Sequence, residues 1–348
     1  VVGADPDDGG RLGRLARRGA MLLAGTAATL AGLVAGATPV RAEVPTCQLG
    51  AYLADLYGVD TRNQTINADV WFWSVCARPE LEPIEHFEFI NATEHRQVYR
   101  ASVPRGSQYW TYVKFVGTFR QNFDLRDYPF DQQTVNIIVE DTRDENEFVY
   151  TPDVANSTYN HDIKLSDFGI TGFRVATRDH RYQTTFGDPR LAHGTGSSYT
   201  QFVLDVALSR TDVSIFVRQT WPVFVSFLVA MVSYLLWSAE ATPVLTARVG
   251  LLGAALFAVV LNLVNLRAAG DLIGTFAGTT LVDQVHLITL GYVLVGVATT
   301  ALTWWLANRP DGARPRGRAR RTNDLIGIVA SVVYVALVAG AVAYAVVT

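Results

Sequence analysis

The sequence predicts an all-β sandwich followed by a four-helix transmembrane bundle. Two observations predict this. Short strand-like runs separated by regular turn signals fill residues 43–212, with no helix-length pattern among them. Four apolar runs, each near the length that crosses a bilayer, fill residues 213–348. A third observation sets the context: residues 1–42 resemble a secretory leader.

The bulk numbers agree with two structural units. The chain has 348 residues, of which 49% are hydrophobic and 18% charged. A formal net charge of -3 argues against a general nucleic-acid binder, so no nucleic-acid partner is expected. Lys114 and Lys164 are the only lysines, and Ala, Gly and Val are abundant. That usage points to a GC-rich bacterial genome.

The leader reading rests on three parts. Arg11, Arg14, Arg17 and Arg18 form a charged start, Ala20–Ala35 an apolar run, and Val40-Arg41-Ala42 a cleavage-like site before Glu43. The alternative is a retained anchor. Beyond it lie the two cysteines, Cys47 and Cys76. The turn-like cluster Asp60-Thr61-Arg62-Asn63 falls midway between them. A hairpin about that turn sets the cysteines opposite each other at its open end, in register for a disulfide. The alternative is two unpaired thiols on neighbouring strands.

Strands are expected at Gln64–Val75, Tyr109–Phe119, Thr134–Glu140, Gly169–Thr177 and Tyr199–Leu208, from their dense β-branched and aromatic content. Arg78-Pro79, Pro104-Arg105-Gly106, Gly187-Asp188-Pro189 and Gly194-Thr195-Gly196 separate them. The polar stretch Arg178–Ser198 reads as a mobile hairpin loop, a place where binding is often carried.

The spans are expected at about 216–237, 249–266, 285–306 and 325–347. Trp221 and Trp237 bracket the first, and Trp304 and Trp305 end the third, as aromatic belts do. The link between spans three and four holds Arg309, Arg314, Arg316, Arg318, Arg320 and Arg321, which places it in the cytoplasm. Counting back puts the β domain and the C-terminus outside, as the leader also implies.

The second span begins at Arg248 and ends before Arg267. One helical stripe of it runs Gly250, Ala254, Phe257, Leu261, Asn265. Asn262 and Asn265 are polar at membrane depth, where such groups face protein or water. A packed helix with small-residue contacts gives the same pattern, so periodicity alone leaves both readings open.

The segment Asn122-Phe123-Asp124-Leu125-Arg126-Asp127-Tyr128-Pro129-Phe130-Asp131-Gln132-Gln133 resembles the signature loop of the pentameric ligand-gated ion channels, the Cys-loop receptor superfamily. Four further matches keep that family's order: Pro83, Phe87 and Asn91; Ser209-Arg210 followed by Trp221-Pro222; Ala247-Arg248-Val249-Gly250-Leu251; and Asp283 at the third span. The chain departs from the animal receptors at Gln121 and Val135, where the loop cysteines would fall, and in its short link between spans three and four. It resembles bacterial members in both.

The resemblance implies an immunoglobulin-like sandwich and a homopentamer, with four identical partner subunits around a central pore in the bacterial inner membrane. Gly250, Ala254, Phe257, Leu261 and Asn265 would line that pore, with Phe257 and Leu261 as a hydrophobic gate. Arg248 and Arg267 would stand at its inner and outer mouths. With no acid within Thr246–Leu266, that leans towards anions. Asp60, Asp131 and Arg210 would form a charged cluster coupling the domains. A small-molecule or ionic agonist would bind between subunits, near Tyr182, Phe186 and Tyr199 on one side and Trp71 and Trp73 on the other.

No P-loop, dinucleotide fingerprint or nucleophile–base pair is visible, so neither an enzyme nor a cofactor is expected. His161, His180 and His193 lack metal-ligand spacing, so no metal is expected. The acidic run Asp141–Glu147 matches no Ca²⁺ loop and reads as a solvated charge run. The competing functional reading is a membrane-anchored periplasmic binding or signalling receptor that does not conduct. A small transporter is weaker, because no interrupted-helix repeat is visible.

Overall fold

The computed structural model describes residues 44–238, 242–268, 278–308 and 315–347. The leader expected at 1–42, and Arg309 and Arg314 of the link, lie outside these residues. Ten strands come first: β1 (Thr46–Asp60), β2 (Thr65–Cys76), β3 (Phe87–Phe89), β4 (Ala92–Arg105), β5 (Gln108–Arg120), β6 (Gln132–Asp141), β7 (Val149–Pro152), β8 (Thr158–Tyr159), β9 (Phe168–Tyr182) and β10 (Ser197–Arg210). Four helices follow: α1 (Ser214–Leu235), α2 (Thr242–Ala268), α3 (Leu281–Ala307) and α4 (Pro315–Val347).

The strands make two sheets, ordered β4-β5-β2-β1-β7 with β8 beside β1, and β3-β6-β10-β9. They share one core, so the domain is a β-sandwich. Strand β2 shows why: Ile66, Ala68, Val70 and Phe72 point in, and Asn67, Asp69, Trp71 and Trp73 alternate outward. Phe72 is fully buried, with the rings of Phe87, Phe89, Phe115 and Phe202 within 5.5–6.3 Å.

The β1–β2 hairpin pairs Cys47 with Cys76 in register, and the two form a disulfide. Gly50 sits opposite Trp73, and any Cβ there would lie 2.4 Å from the indole ring. Glycine therefore lets Trp73 lie flat across β1 and donate to Asp153 Oδ2 at 3.0 Å.

Each of the five strand runs expected from sequence is a strand; β2 keeps its expected length shifted by one residue, and the other four are longer by two to six residues. Strand β4 is one the hydrophobic pattern hides. Its polar first half, Thr93-Glu94-His95-Arg96-Gln97, is solvent-facing at a sheet edge, where charge blunts edge-to-edge pairing. The expected loop Arg178–Ser198 is shorter than its polarity suggests. Strand β9 continues to Tyr182 and β10 starts at Ser197, because backbone pairing on a half-solvated sheet tolerates polar side chains.

Each helix is long and apolar enough to cross a membrane, which makes the chain a multi-pass membrane protein. Helix α2 starts at Thr242 rather than near Val249, with Pro243 in its first turn, where a missing N–H costs nothing. Helix α4 starts at Pro315, so Arg316, Arg318, Arg320 and Arg321 are helical rather than part of the link. Helix α1 packs on α2 and α3, and α3 packs on α4. Leu252 of α2 fills the space over Gly296 of α3, where a Cβ would lie 2.7 Å from its methyl.

Candidate functional site

The signature segment forms the loop between β5 and β6, and its apolar residues anchor it. Phe123, Leu125 and Tyr128 are buried in the sandwich core. From there the loop touches two helices, α1 and α3. The amide of Leu281, at the start of α3, donates to the Arg126 carbonyl at 2.8 Å. Gln219 Nε2 of α1 donates to the Tyr128 hydroxyl at 3.2 Å. The rings of Phe130 and Phe216 lie 5.6 Å apart. Val282 of α3 belongs to the sandwich core itself, with Ile215, Phe216 and Leu266 packed against it. Strands and helices thus meet through one continuous apolar contact.

A buried ion pair sits inside that contact. Arg210 ends β10 and Asp131 precedes β6. Arg210 Nε donates to Asp131 Oδ1 at 2.8 Å and Nη2 to Oδ2 at 3.2 Å. Their side chains are 1% and 2% exposed, so the pair is desolvated. Gln133 Nε2 gives Asp131 a further bond at 2.8 Å. The Tyr128 and Phe168 rings lie 4.8 and 4.4 Å from the guanidinium carbon, so aromatic faces replace water around the cation.

Asp60, expected in the same cluster, forms no ion pair with Arg210 among the described residues. Its Oδ1 accepts from the amides of Arg62 and Asn63, both at 2.9 Å, and its Oδ2 from Asn63 Nδ2 at 2.7 Å. These bonds tie up the carboxylate in the β1–β2 turn and hold its pKa below the usual range, the Asn63 amide first. The charged cluster is a pair, not a triad.

Helix α2 has two unlike faces. Leu252, Ala255 and Val259 are buried against α1 and α3. The expected stripe Gly250, Ala254, Phe257, Leu261 and Asn265 is exposed along its length. Phe257 is 68% exposed and Leu261 44%. The two polar residues divide between the faces. Asn262 turns inward, its Nδ2 reaching Gln219 O of α1 at 3.1 Å and His286 Nε2 of α3 at 2.8 Å. Asn265 stays outward.

Neither expected mouth arginine is a free charge. Arg248 is 2% exposed and lies inside the bundle, donating to Asn323 Oδ1 of α4 at 2.7 Å. Helical spacing causes this. It puts Arg248 on the same helical face as Leu252, Ala255 and Val259, away from the exposed stripe. The early start of α2 only sets Arg248 more than one turn inside the helix. Arg267 pairs with Asp283 at 2.7 Å, and Asp283 also closes the capping box at Thr280.

Tyr182, Phe186 and Tyr199 come together as expected. Their ring centroids are 5.1–6.2 Å apart in edge-to-face geometry. A carboxylate lies below them that sequence reading missed. Glu140 is 5% exposed and accepts from the Tyr182 hydroxyl at 3.2 Å and Gln201 Nε2 at 2.7 Å. Burial raises the Glu140 pKa, and burial with the Glu140 charge pushes the Tyr182 phenol up to about 12. Its place at the strand end, one residue before the acidic run, gave Glu140 no distinguishing signal.

Trp71 and Trp73 lie on the outer face of the other sheet. Trp71 forms a second aromatic group with Tyr99 and Tyr112, 5.7 and 6.2 Å away. No ring contact joins this group to Tyr182, Phe186 or Tyr199 among the described residues. The acidic run is only partly solvated: Asp141 is 2% exposed and pairs with Arg143 at 2.8 Å, Glu147 pairs with Arg190 of the β9–β10 loop, and Asp144 caps its own turn.

No protein-family model matches the chain, and a search of the curated proteins finds no match.

Proposed function

We propose that the chain is one subunit of a homopentameric ligand-gated ion channel in a bacterial inner membrane, with the sandwich and the C-terminus outside. The observation that carries this reading is the outward face of α2. Gly250, Gly253, Ala254 and Asn265 are exposed there beside Phe257 and Leu261. Helix α4 offers the contrast over residues 325–335. Its outward residues include Leu325, Ile328, Val329, Val332, Val333 and Val335, a surface suited to lipid tails. Small and polar residues on the α2 face suit close helix contact and water. One chain cannot enclose a channel with one such helix, so a ring of copies joined head to tail is needed.

The aromatic groups support the same arrangement. They stand on opposite sheets, each lacking the other, and a head-to-tail contact would bring one from each copy together. An agonist would bind there, and the Arg210–Asp131 junction would pass its effect to α1 and α3. The lean towards anions rests on the acid-free stripe alone, because Arg248 is buried and Arg267 is neutralised by Asp283.

The test is a recording from the purified chain in planar bilayers, with particle mass measured in parallel. Five chains per particle and a ligand-evoked current are expected. The reversal potential in a chloride gradient then reads the ion preference. Ligand binding without current would replace this reading with the anchored receptor.

A further inference from the structure

Arg248 is a buried cation with no counter-ion among the described residues. It lies at the bundle end far from the sandwich, where α1 and α3 finish and α2 and α4 begin. Among the described residues, Asn323 Oδ1 is its one hydrogen-bond acceptor, and its Nε and Nη2 have none. No carboxylate among the described residues forms an ion pair with it. Asp324, next to that acceptor, is exposed and takes a bond from Asn323 Nδ2 instead. The Tyr234 ring lies 5.3 Å from the guanidinium carbon and offers only a π face.

Beside this side chain is a cavity of about 10 Å³, lined by Arg248, Ser238, Thr300, Thr303, Trp237 and Trp304. That volume suits one water-sized occupant. The Thr300 and Thr303 hydroxyls already donate to carbonyls one turn back, so they do not compete for the guanidinium. A water there would satisfy a donor but leave the charge uncompensated. Taking an unpaired charge out of water is costly, and an anion that accepts from both free N–H groups removes that cost.

We propose that the cavity holds one halide ion, chloride in the cell, bound to Arg248 Nε and Nη2. Its size excludes phosphate and sulfate. The ion is a structural part of the subunit, distinct from any ion that passes along α2. It joins all four helices, since Tyr234, Arg248, Thr300 and Asn323 each belong to a different one.

The test uses the full chain in nanodiscs and reads thermal unfolding, so its outcome is separate from any current. Tm is measured in sodium chloride, bromide, sulfate and gluconate at one ionic strength. Chloride and bromide should raise Tm by about 2–4 °C over gluconate, and sulfate should not. Asn323→Asp supplies the missing negative charge without removing the arginine, so it should fold and lose the halide response. Bromide-soaked crystals should show an anomalous peak in contact with Arg248 Nε. A halide response kept in Asn323→Asp, an equal response to sulfate, or no bromide peak at Arg248 overturns the proposal.

Discussion

Arg210 and Asp131 lock the last strand to the signature loop through two hydrogen bonds, at 2.8 and 3.2 Å, with both side chains out of water. The pair lies where the loop meets α1 and α3, so relative movement of strands and helices must strain or carry it. Removing one partner leaves the other charged, buried and uncompensated.

Arg210→Ala should therefore cost about 3–5 kcal/mol, against about 1 kcal/mol for Asp60→Ala, which loses only turn bonds. Thermal melts of the two purified variants measure the difference. Arg210→Met with Asp131→Leu should recover most of the stability, because the buried charge goes with its partner. On the channel reading, the double variant should be assembled but poorly activated by ligand. Wild-type melting and gating in Arg210→Ala would make the pair idle.

Phe257 is the largest side chain on the exposed α2 stripe. In a ring of copies it would form the narrowest apolar collar, and such a collar closes by excluding water. Phe257→Ala should raise basal open probability in single-channel recordings. Unchanged open probability would place the gate elsewhere on the helix.

The Cys47–Cys76 bridge closes a segment whose ends are 29 residues apart in sequence. Loop entropy alone assigns such a bridge about 3.5 kcal/mol. Cys47→Ser with Cys76→Ser should lower the stability of the sandwich by up to that amount, read by denaturant titration. A loss well below it would mean that β1–β2 pairing already constrains the unfolded chain.

Glu140 has a pKa raised by burial, so the folded state holds its proton more tightly than the unfolded chain. Its contribution is full below the ordinary carboxylate value and is lost as pH rises through its own raised value. Glu140→Gln removes that dependence. The Tm of wild type minus that of the variant should fall as pH rises from the usual carboxylate range towards neutral. A difference that is flat with pH would show that Glu140 titrates normally.

The legible parts share a physical reason: each was written into neighbouring residues. Dense β-branched and aromatic content marked β2, and run length marked the helices. The midpoint turn set the cysteine register without any distant contact. Strand β4 escaped because an edge strand is held by backbone bonds that its polar side chains do not record. The aromatic group of Tyr182, Phe186 and Tyr199 was legible because one hairpin carries all three. Glu140 was not, since its burial comes from the pairing of β6 with β10, which are 61 residues apart in number where Glu140 meets Gln201 but adjacent in space.

By itself the sequence determined the order of solvents, strands for water and then helices for lipid, because local periodicity and apolar length decide each. It also determined which stripe of α2 is distinct. Only the tertiary structure decided where the charges go. Asp60 turned to its own hairpin, Arg210 closed on Asp131, and Arg248 entered the bundle to meet Asn323. A long charged side chain takes whichever partner its packed neighbours leave within reach, and those neighbours come from elements far apart in the chain.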